Sequence, residues 1–548
     1  MDSQRAKMGE PVDDVNPSAR KVTRIHSTVI ANARPRIVIA EEAGRRFLQL
    51  GNEEVVAVGG NYVLKAAPWF LPVEDVEADA KLMADNLKQS GWSPEGKRAV
   101  PIVRLGALWE GAMPSPGQFD ASWIAALRAT IETFARHGIY CFIESHQDAL
   151  CSSNGGEGIP WWVADAFRQQ PEHADAAYVV SPSTPLELAL PRCLQCLPCL
   201  PKIQTAPGDK DPWKPFSVED GSRDASLMNI GNRSIRMNNY GASWKQGILF
   251  LSKQVQNVAS RLYRSHSGAD RAIFDHYVEF IKLLASVWRD HSTVIAIELW
   301  NEPPMGGLWD FFAGRPSRLL RMRSDLWRFQ GATLEALDAA GASDVVVCVT
   351  DIGQACPAFS AATWTMAKID PVPTPVKALL RNWATANRLM LSFHYYAPPS
   401  TCSFVTACSR ATRFAAMLGG DEKGLPTFLS EFVDEKPEQV AAKMRQAVAG
   451  GVNAVAYWQF VSLKETRVLH LQGRPVTFYQ QRDAWAAYAS PVKPPVPDAK
   501  GRLPKYAVTD DDEEFDVYQK QVERGEFWGA AITQFGGSEV KHSVLNYM

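Results

Sequence analysis

The chain has 548 residues, of which 46% are hydrophobic and 22% charged, the balance of a globular protein. Its formal net charge of −2 argues against a nucleic-acid partner recognised through bulk charge. No run of about 18 apolar residues is present to span a membrane, and the N-terminal sequence MDSQRAKMGEPVDDVNPSARK lacks the apolar core of a secretory signal. With nine scattered cysteines interpreted as reduced thiols, we expect a cytoplasmic protein, and peripheral contact with a membrane surface stays open.

The elements in chain order predict an α/β protein. Residues 1–30 are polar, and we expect them to be disordered. The sequence PRIVIAEEAGRRFLQLGNEEVVAVGG then predicts short strands joined by turns. From its end onward, helical patterns separate eight apolar runs of strand length: EEVVAVGGNYV, RAVPIVRLGALW, GIYCFIESH, TVIAIELWNE, SDVVVCVTD, RLMLSFHYY, LPTFLSEF and VNAVAYWQF. Because most runs are apolar throughout, as parallel strands buried on both faces are, they predict a (β/α)8 TIM barrel over residues 31–490.

Three segments do not fit the plain barrel. Residues 163–260, rich in proline and serine, are predicted to form a long insertion after the third strand, residues 352–387 a shorter insertion, and residues 491–548 a short C-terminal extension. Within the insertion, Cys193, Cys196 and Cys199 have C-x2-C-x2-C spacing, but no fourth ligand stands at a usual spacing. We therefore predict no metal site and no cofactor, and the role of these thiols stays open.

Two carboxylates are predicted to face one pocket, because functional side chains of such a barrel sit at the carboxyl ends of its strands. The fourth strand ends at Asn301 and Glu302, and the seventh ends at Glu431. Two carboxyl groups that flank a cleft are what glycoside hydrolysis requires. A single glutamate after a strand is more often a helix cap or an ion-pair partner, but two at one pocket mouth weaken that interpretation. We expect Glu298, inside the fourth run, to point elsewhere, and Asp351 is a structural candidate.

The motifs at these strand ends resemble glycoside hydrolase family 5, whose members are retaining (β/α)8 enzymes. The resemblance is carried by WNEP after the fourth strand, SEF after the seventh, VRLG on the second and HYY on the sixth. It implies that Glu302 is the acid/base, that Glu431 is the nucleophile and that Asn301 binds the sugar 2-hydroxyl. It also implies that Arg104 and Tyr396 hold the nucleophile ionised and aimed.

Longer stretches resemble the endoglycoceramidase and steryl-glucosidase branch of that family. They are GGNYVLKAAPWFLP, ESHQDALCSSNGGEGIPWW and DHYVEFIKLLASVWRDHSTVIAIELWNEPPMGG. The resemblance implies that Lys65, His146 and Asp148 contact sugar. The wider resemblance to family 5 implies that His394 lines the pocket and that Trp458 is the platform under the reacting sugar. Many members of this branch carry a C-terminal β-sandwich, for which the residues after 490 are too few.

The sequence thus predicts a retaining β-glycosidase that acts on a glycolipid, either a glycosylceramide or a steryl glucoside, and needs no obligate protein partner. The alternatives are a family 5 β-glucanase, exo or endo, on a soluble glucan, and a barrel that only binds sugar; the intact glutamate pair argues against the binder. An apolar aglycone is expected because two loops at the pocket mouth are rich in large apolar residues, namely Trp69, Phe70, Leu71, Trp161 and Trp162. Their alternative role is to pack against one another beneath the insertion.

Overall fold

Eight parallel strands close into a ring in the computed structural model of this chain. The strands of the ring are β3 (Glu53–Tyr62), β4 (Arg98–Leu108), β5 (Tyr140–His146), β8 (Val294–Glu298), β9 (Val347–Val349), β10 (Leu389–Tyr395), β11 (Thr427–Phe432) and β12 (Ala454–Tyr457). Each pairs with the next, and β12 closes the ring on β3 with Ala454 opposite Ala57. The predicted TIM barrel is therefore confirmed, and each of the eight predicted runs contains one barrel strand.

The structure describes part of the chain. The described residues are 34–64, 69–71, 73–90, 97–148, 150, 158–168, 227–230, 233–236, 253–304, 316–351, 372–396, 403–421, 423–432, 437–458, 464–471 and 474–480. Lys65, the three insertion cysteines and most of residues 163–260 lie outside them. The predicted domain boundaries stay predictions.

Helices alternate with the barrel strands, as the sequence predicts. They are α1 (Val73–Ser90), α2 (Trp109–Ala112), α3 (Ala121–Arg136), α4 (Trp161–Arg168), α5 (Lys253–Arg264), α6 (Arg271–Asp290), α7 (Pro316–Ala339), α8 (Thr374–Thr385), α9 (Phe404–Gly419) and α10 (Pro437–Ala449), with a 3-10 turn at Gly268–Asp270. Polar caps fix where some of them begin: the Asp120 side chain accepts from two backbone N–H groups of α3, and Ser403 caps α9. Among the helices of the described residues, none combines the length and the apolar character needed to cross a membrane.

A hairpin precedes the barrel and covers its amino-terminal end. Strands β1 (Ile37–Glu42) and β2 (Arg45–Leu50) pair antiparallel, which confirms the short strands predicted there. Just before β1, Arg36 donates to the carbonyl oxygens of Val294 and Trp288, both at 2.9 Å. Because Val294 is the first residue of β8, this contact lies at the end of the barrel opposite to the carboxyl ends of the strands.

Two further hairpins lie outside the ring. Strands β6 (Leu227–Ile230) and β7 (Arg233–Arg236) pair antiparallel within the predicted insertion. Strands β13 (Lys464–Leu471) and β14 (Arg474–Gln480) pair antiparallel after the last barrel strand. Neither hairpin belongs to the eight-stranded ring.

Gly59 on β3 tests how tightly the barrel wall is packed. A Cβ atom at this position would lie 1.7 Å from the carbonyl oxygen of Ile102 on β4, and a backbone atom within a sheet cannot move aside. We expect Gly59→Ala to lower the free energy of unfolding by about 3 kcal/mol or more, measured by urea denaturation. In the control Gly44→Ala the added atom meets nothing within 4 Å, and only the φ of +74° opposes it, so the loss should be about 1 kcal/mol. Equal losses in the two variants would contradict this account.

Candidate active site

The barrel gathers nine of the ten predicted site residues at the carboxyl ends of its strands, while Lys65 lies outside the described residues. The nine are Arg104, His146, Asp148, Asn301, Glu302, His394, Tyr396, Glu431 and Trp458. All are buried except Tyr396, which is half-buried. Hydrogen bonds and ring contacts link them into one constellation, so the predicted grouping of strand ends describes one site.

Arg104 on β4 is the centre of this constellation, and its side chain is fully buried. Its guanidinium has five N–H groups, and five oxygen partners surround it. Nε donates to Glu298 Oε2 at 2.6 Å, and Nη1 donates to Asn61 Oδ1 at 2.8 Å and to Glu431 Oε1 at 2.5 Å. Nη2 donates to Asn301 Oδ1 at 2.8 Å and lies 2.9 Å from Glu144 Oε2. Burial disfavours the charge of the guanidinium, but the three carboxylates outweigh it and raise the pKa of Arg104 well above its ordinary value.

Glu431 on β11 is held by donors on both of its oxygens. Arg104 binds Oε1, while the Tyr396 hydroxyl donates to Oε2 at 2.6 Å. His394 Nδ1 lies 3.5 Å from the same Oε2. Charge-assisted hydrogen bonds of this kind are strong and fix the direction of a carboxyl group.

Glu302 follows β8 in a strained backbone conformation. Its φ of +35° lies in the left-handed region, which residues other than glycine rarely adopt. The side chain of Gln147 supports this turn, because its Nε2 donates to the carbonyl oxygens of Asn301 and Glu302 at 2.5 and 2.9 Å. The Glu302 carboxyl meets His394 Nδ1 at 2.8 Å, and one of its oxygens lies within 4.8 Å of a carboxyl oxygen of Glu431.

The two glutamates differ in the groups that surround them, and this difference suits them to different chemical roles. Burial raises the pKa of Glu302 to about 7; the hydrogen bond from His394 opposes the rise, and the charges of Glu431 and Asp148 add to it. A carboxyl group with such a pKa carries a proton to give at neutral pH. Glu431, in contrast, is bound directly by an arginine and a tyrosine.

His146 on β5 connects the ionic network to an aromatic platform. Its Nδ1 lies 2.7 Å from Glu144 Oε1, its Nε2 lies 3.6 Å from Asp148 Oδ2, and its ring stacks on Trp458 at a centroid distance of 5.7 Å. Burial opposes a charge on the ring, but the two carboxylates outweigh it and raise the pKa of His146 to about 10. The imidazolium and the indole thus form one wall of the site.

Glu144 and Glu298 were missed as site residues, and the expectation that Glu298 points elsewhere is wrong. Both carboxylates are buried and contact Arg104, from β5 and β8 respectively. The signal that could have found Glu144 is the two-residue period of a strand, which places it on the same face as His146. No such signal links Glu298 to Glu302, because β8 ends at Glu298. Asp351, the structural candidate, is buried against Arg323, whose Nε donates to both of its oxygens at 2.8 and 2.9 Å.

The apolar loops contribute less to the pocket mouth than predicted. Phe70, Leu71 and Trp162 are 4%, 5% and 7% exposed and belong to the main hydrophobic core, so the expectation that they offer open apolar surface is wrong. They pack inward because burying a large apolar side chain contributes about 1.5–3 kcal/mol. The side chain of Trp161 lies outside the described residues.

Trp69 differs from its neighbours in the same loop. It is half-buried and packs against a small cluster of Val63, Leu108 and Trp458 as well as against the core. Its φ of +70° is another left-handed conformation, and a Cβ at Gly111 would lie 2.7 Å from its ring. The ring of Trp69 therefore packs against Gly111, beside Trp458, the residue predicted from the sequence to be the sugar platform.

Two groups of side chains among the described residues bring three potential metal ligands together. The first group is Glu144, His146 and Glu431, and the second is Glu302, His394 and Glu431. In each group the three potential ligand atoms lie within 4.8 Å of one another. These donors already bind one another or Arg104. The prediction that the protein needs no metal or cofactor stays a prediction.

Comparison with known proteins gives a family model, curated relatives and solved structures that are similar to this chain. The family model of cellulases, glycosyl hydrolase family 5, matches residues 255–461. An endoglycoceramidase of Cyanea nozakii is 23% identical over 62% of this chain and 53% of its own length, and a glucosylceramidase of Rhizopus delemar is 35% identical over 17% of this chain and 15% of its own. A crystal structure of an endogalactoceramidase, 20% identical, covers 78% of this chain and 75% of that one, with a TM-score of 0.45.

The family match and the curated relatives confirm the resemblance to glycoside hydrolase family 5. They confirm as well its narrower form, a resemblance to the endoglycoceramidase-like branch of that family. The matches span about half or less of the length of these curated relatives.

The contact between His394 and Glu302 gives a prediction about titration. The hydrogen bond from His394 lowers the pKa of Glu302, so His394→Ala should move that pKa to a value above about 7. Infrared difference spectroscopy of the buried carboxyl band against pH measures the midpoint, and Glu302→Gln assigns the band. His276→Ala is the control, because that ring packs edge-on against Trp162 rather than against a carboxylate. A midpoint that stays or falls in His394→Ala would refute the assignment.

Proposed function

We propose that this protein is a retaining β-glycosidase that hydrolyses the O-glycosidic bond of a glycolipid. The observation that carries the proposal is the pair of glutamates, in which one carboxyl oxygen of Glu302 lies within 4.8 Å of one carboxyl oxygen of Glu431. Retaining glycosidases hold their carboxyl groups about 5–5.5 Å apart, whereas inverting enzymes need about 6.5–9.5 Å to admit a water. The family match supports the same stereochemistry, because family 5 is a retaining family.

In the first step, Glu431 is the nucleophile and Glu302 the general acid. An electron pair of the Glu431 carboxylate forms a bond to the anomeric carbon while the bond from that carbon to the leaving oxygen breaks. The proton of Glu302 goes to the leaving oxygen, and a pKa of about 7 suits this transfer at neutral pH. The products are a glycosyl ester on Glu431, an ionised Glu302 and the free aglycone.

In the second step, the same two residues reverse their parts. Glu302 takes a proton from water as the water oxygen bonds to the anomeric carbon, and the ester electrons return to Glu431. Arg104 and Tyr396 receive the carboxylate again, since they already donate to its two oxygens. Two inversions at one carbon give net retention.

The remaining site residues are proposed to bind the sugar. We assign the hydroxyl next to the anomeric carbon to Asn301, whose position Arg104 and the Gln147 carbonyl oxygen fix at 2.8 and 3.0 Å. Trp458 offers its ring to the face of the sugar. His146, Asp148, His394 and Lys65 would bind further hydroxyls, a role that rests on the family resemblance and, for the three described residues, on their place beside the glutamates.

A glycolipid is the substrate class that the observations favour. The relatives reported above are named for acting on ceramide glycosides, and the half-buried Trp69 lies in the first strand-to-helix loop, where a leaving group would depart. The soluble glucan stays the alternative substrate. A cytoplasmic location and contact with a membrane surface are expectations from the sequence, and they stay predictions.

The assignment of the two glutamates predicts two different defects. Glu431→Gln should lower kcat at least about 10⁴-fold while the dissociation constant for substrate changes little, because the amide keeps the shape and loses the nucleophile. Glu302→Ala should retain far more activity on aryl glycosides with good leaving groups than on those with poor ones, since good leaving groups need little protonation. Steady-state kinetics on a series of aryl β-glucosides measures both effects.

The control for these variants is Glu279→Gln, which neutralises an exposed glutamate on α6 that pairs with Lys282. Its activity should equal that of the unmodified protein. Near-normal turnover by Glu431→Gln would refute the nucleophile assignment. A Glu302→Ala variant that loses the same factor on every leaving group would refute the acid assignment.

The proposed aglycone gives a prediction about Trp69. A buried lipid chain contributes about 0.8 kcal/mol per methylene, so a few methylenes against Trp69 would dominate the choice between a lipid and a glucan. We expect Trp69→Ala to lower kcat/KM on a glucosylated lipid about tenfold or more and to change kcat/KM on cellobiose little. Met417→Ala, which removes an exposed apolar side chain on α9, is the control. Equal losses on both substrates would favour the soluble glucan.

A further inference from the structure

Two buried carboxylates beside Arg104 have no part in the proposed two-step mechanism. Glu298 accepts from Arg104 Nε at 2.6 Å, and Glu144 lies 2.9 Å from Arg104 Nη2. Their side chains are 1% and 0% exposed, and neither is one of the groups assigned to the sugar. Arg104 already has a counter-charge in Glu431, so these two additional negative charges need a separate explanation.

A neutral acceptor would have satisfied these N–H groups at lower cost. Removing a carboxylate from water costs several kcal/mol, and Asn61 and Asn301 show that amides can fill positions around the same guanidinium. Three carboxylates against one arginine leave a negative excess, and His146, which lies between Glu144 and Asp148, offsets only part of it. The charges therefore serve something other than hydrogen-bond satisfaction.

The proposed reaction moves a negative charge away from Arg104. In the first step the charge of Glu431 is consumed as its ester forms, and an equal charge arises on Glu302. Arg104 binds Glu431, whereas Glu302 binds His394. An arginine paired with Glu431 alone would lose its counter-charge at this moment, and that loss would oppose the attack.

We propose that Glu144 and Glu298 are positioning residues that keep Arg104 neutralised while Glu431 carries the glycosyl group. The inference rests on the proposed function. With both carboxylates present, the Arg104 guanidinium faces three carboxylates before the attack and still faces two, Glu144 and Glu298, after the ester on Glu431 has formed. The free energy of the glycosyl ester is then lower than it would be if Arg104 had Glu431 as its sole counter-charge. Glu431 therefore stays a strong nucleophile although Arg104 binds it.

Two substitutions of Glu298 separate its charge from its shape. Glu298→Gln keeps the acceptor for Arg104 Nε and turns its amide group toward the Ser430 hydroxyl, which lies 3.5 Å from Glu298 Oε1. Glu298→Asp keeps the charge and shortens the reach. Glu144→Gln is a second neutral variant, so the test does not depend on one protein that folds. Asp421→Asn is the matched control, because it neutralises the partner of another buried arginine, Arg46.

The experiment measures the two steps separately with 2,4-dinitrophenyl β-glucoside and its 2-deoxy-2-fluoro analogue. The release of dinitrophenolate reports formation of the ester on Glu431, and the return of activity reports its hydrolysis. This leaving group needs little help from Glu302, so the first step reports the movement of charge. Mass spectrometry of the trapped protein identifies the residue that carries the sugar.

We expect ester formation in Glu298→Gln and Glu144→Gln to slow by about tenfold to a hundredfold, while ester hydrolysis stays the same or becomes faster, because hydrolysis returns a negative charge to Arg104. Glu298→Asp and Asp421→Asn should leave the ratio of the two rates unchanged. Both steps slowed by the same factor in Glu298→Gln would show a role in shape alone and overturn the proposal, as would no change in either step. Failure of the proposed function looks different, since the unmodified protein would then form no ester on Glu431.

Discussion

The buried guanidinium of Arg104 is the constraint on which the rest of the site depends. A buried charge needs a partner for each of its hydrogen-bond donors. Here the partners of Arg104 lie on, or directly after, four other strands of the barrel. The partners are Asn61, Glu144, Glu298, Asn301 and Glu431. The site is therefore complete only when the barrel is closed, because no subset of these strands satisfies the arginine alone.

The surrounding structure fixes the two glutamates before any substrate arrives. Glu302 follows a strand in a left-handed conformation that the Gln147 side chain stabilises through two carbonyl oxygens. Glu431 is bound through both oxygens, by Arg104 and by Tyr396. The strained turn and the buried charges lower the stability of the fold. In return, the two groups are already aligned and need no reorganisation in the transition state.

The sequence predicts the barrel and the glutamate pair well because both follow from short-range patterns. Continuous apolar runs indicate buried parallel strands, and the ends of such strands must converge, which brought Glu302 and Glu431 together without any long-range information. Glu298 was misjudged because its partner, Arg104, lies on another strand, and a carboxylate inside an apolar run carries no local sign of such a partner. Phe70 and Trp162 were misplaced because a large apolar residue in a loop can cover a core or face a pocket, and only the fold decides which.

The central claim is that Glu302 and Glu431 hydrolyse the glycosidic bond with retention of configuration. The anomer that is released first tests this claim most directly. Hydrolysis of an aryl β-glucoside in deuterated buffer can be followed by proton NMR before the released sugar equilibrates between its anomers. Two displacements through an ester on Glu431 predict that the β-anomer appears first and the α-anomer grows in later by mutarotation. An α-anomer that appears first would mean a single displacement by water, and it would contradict the roles assigned to both glutamates.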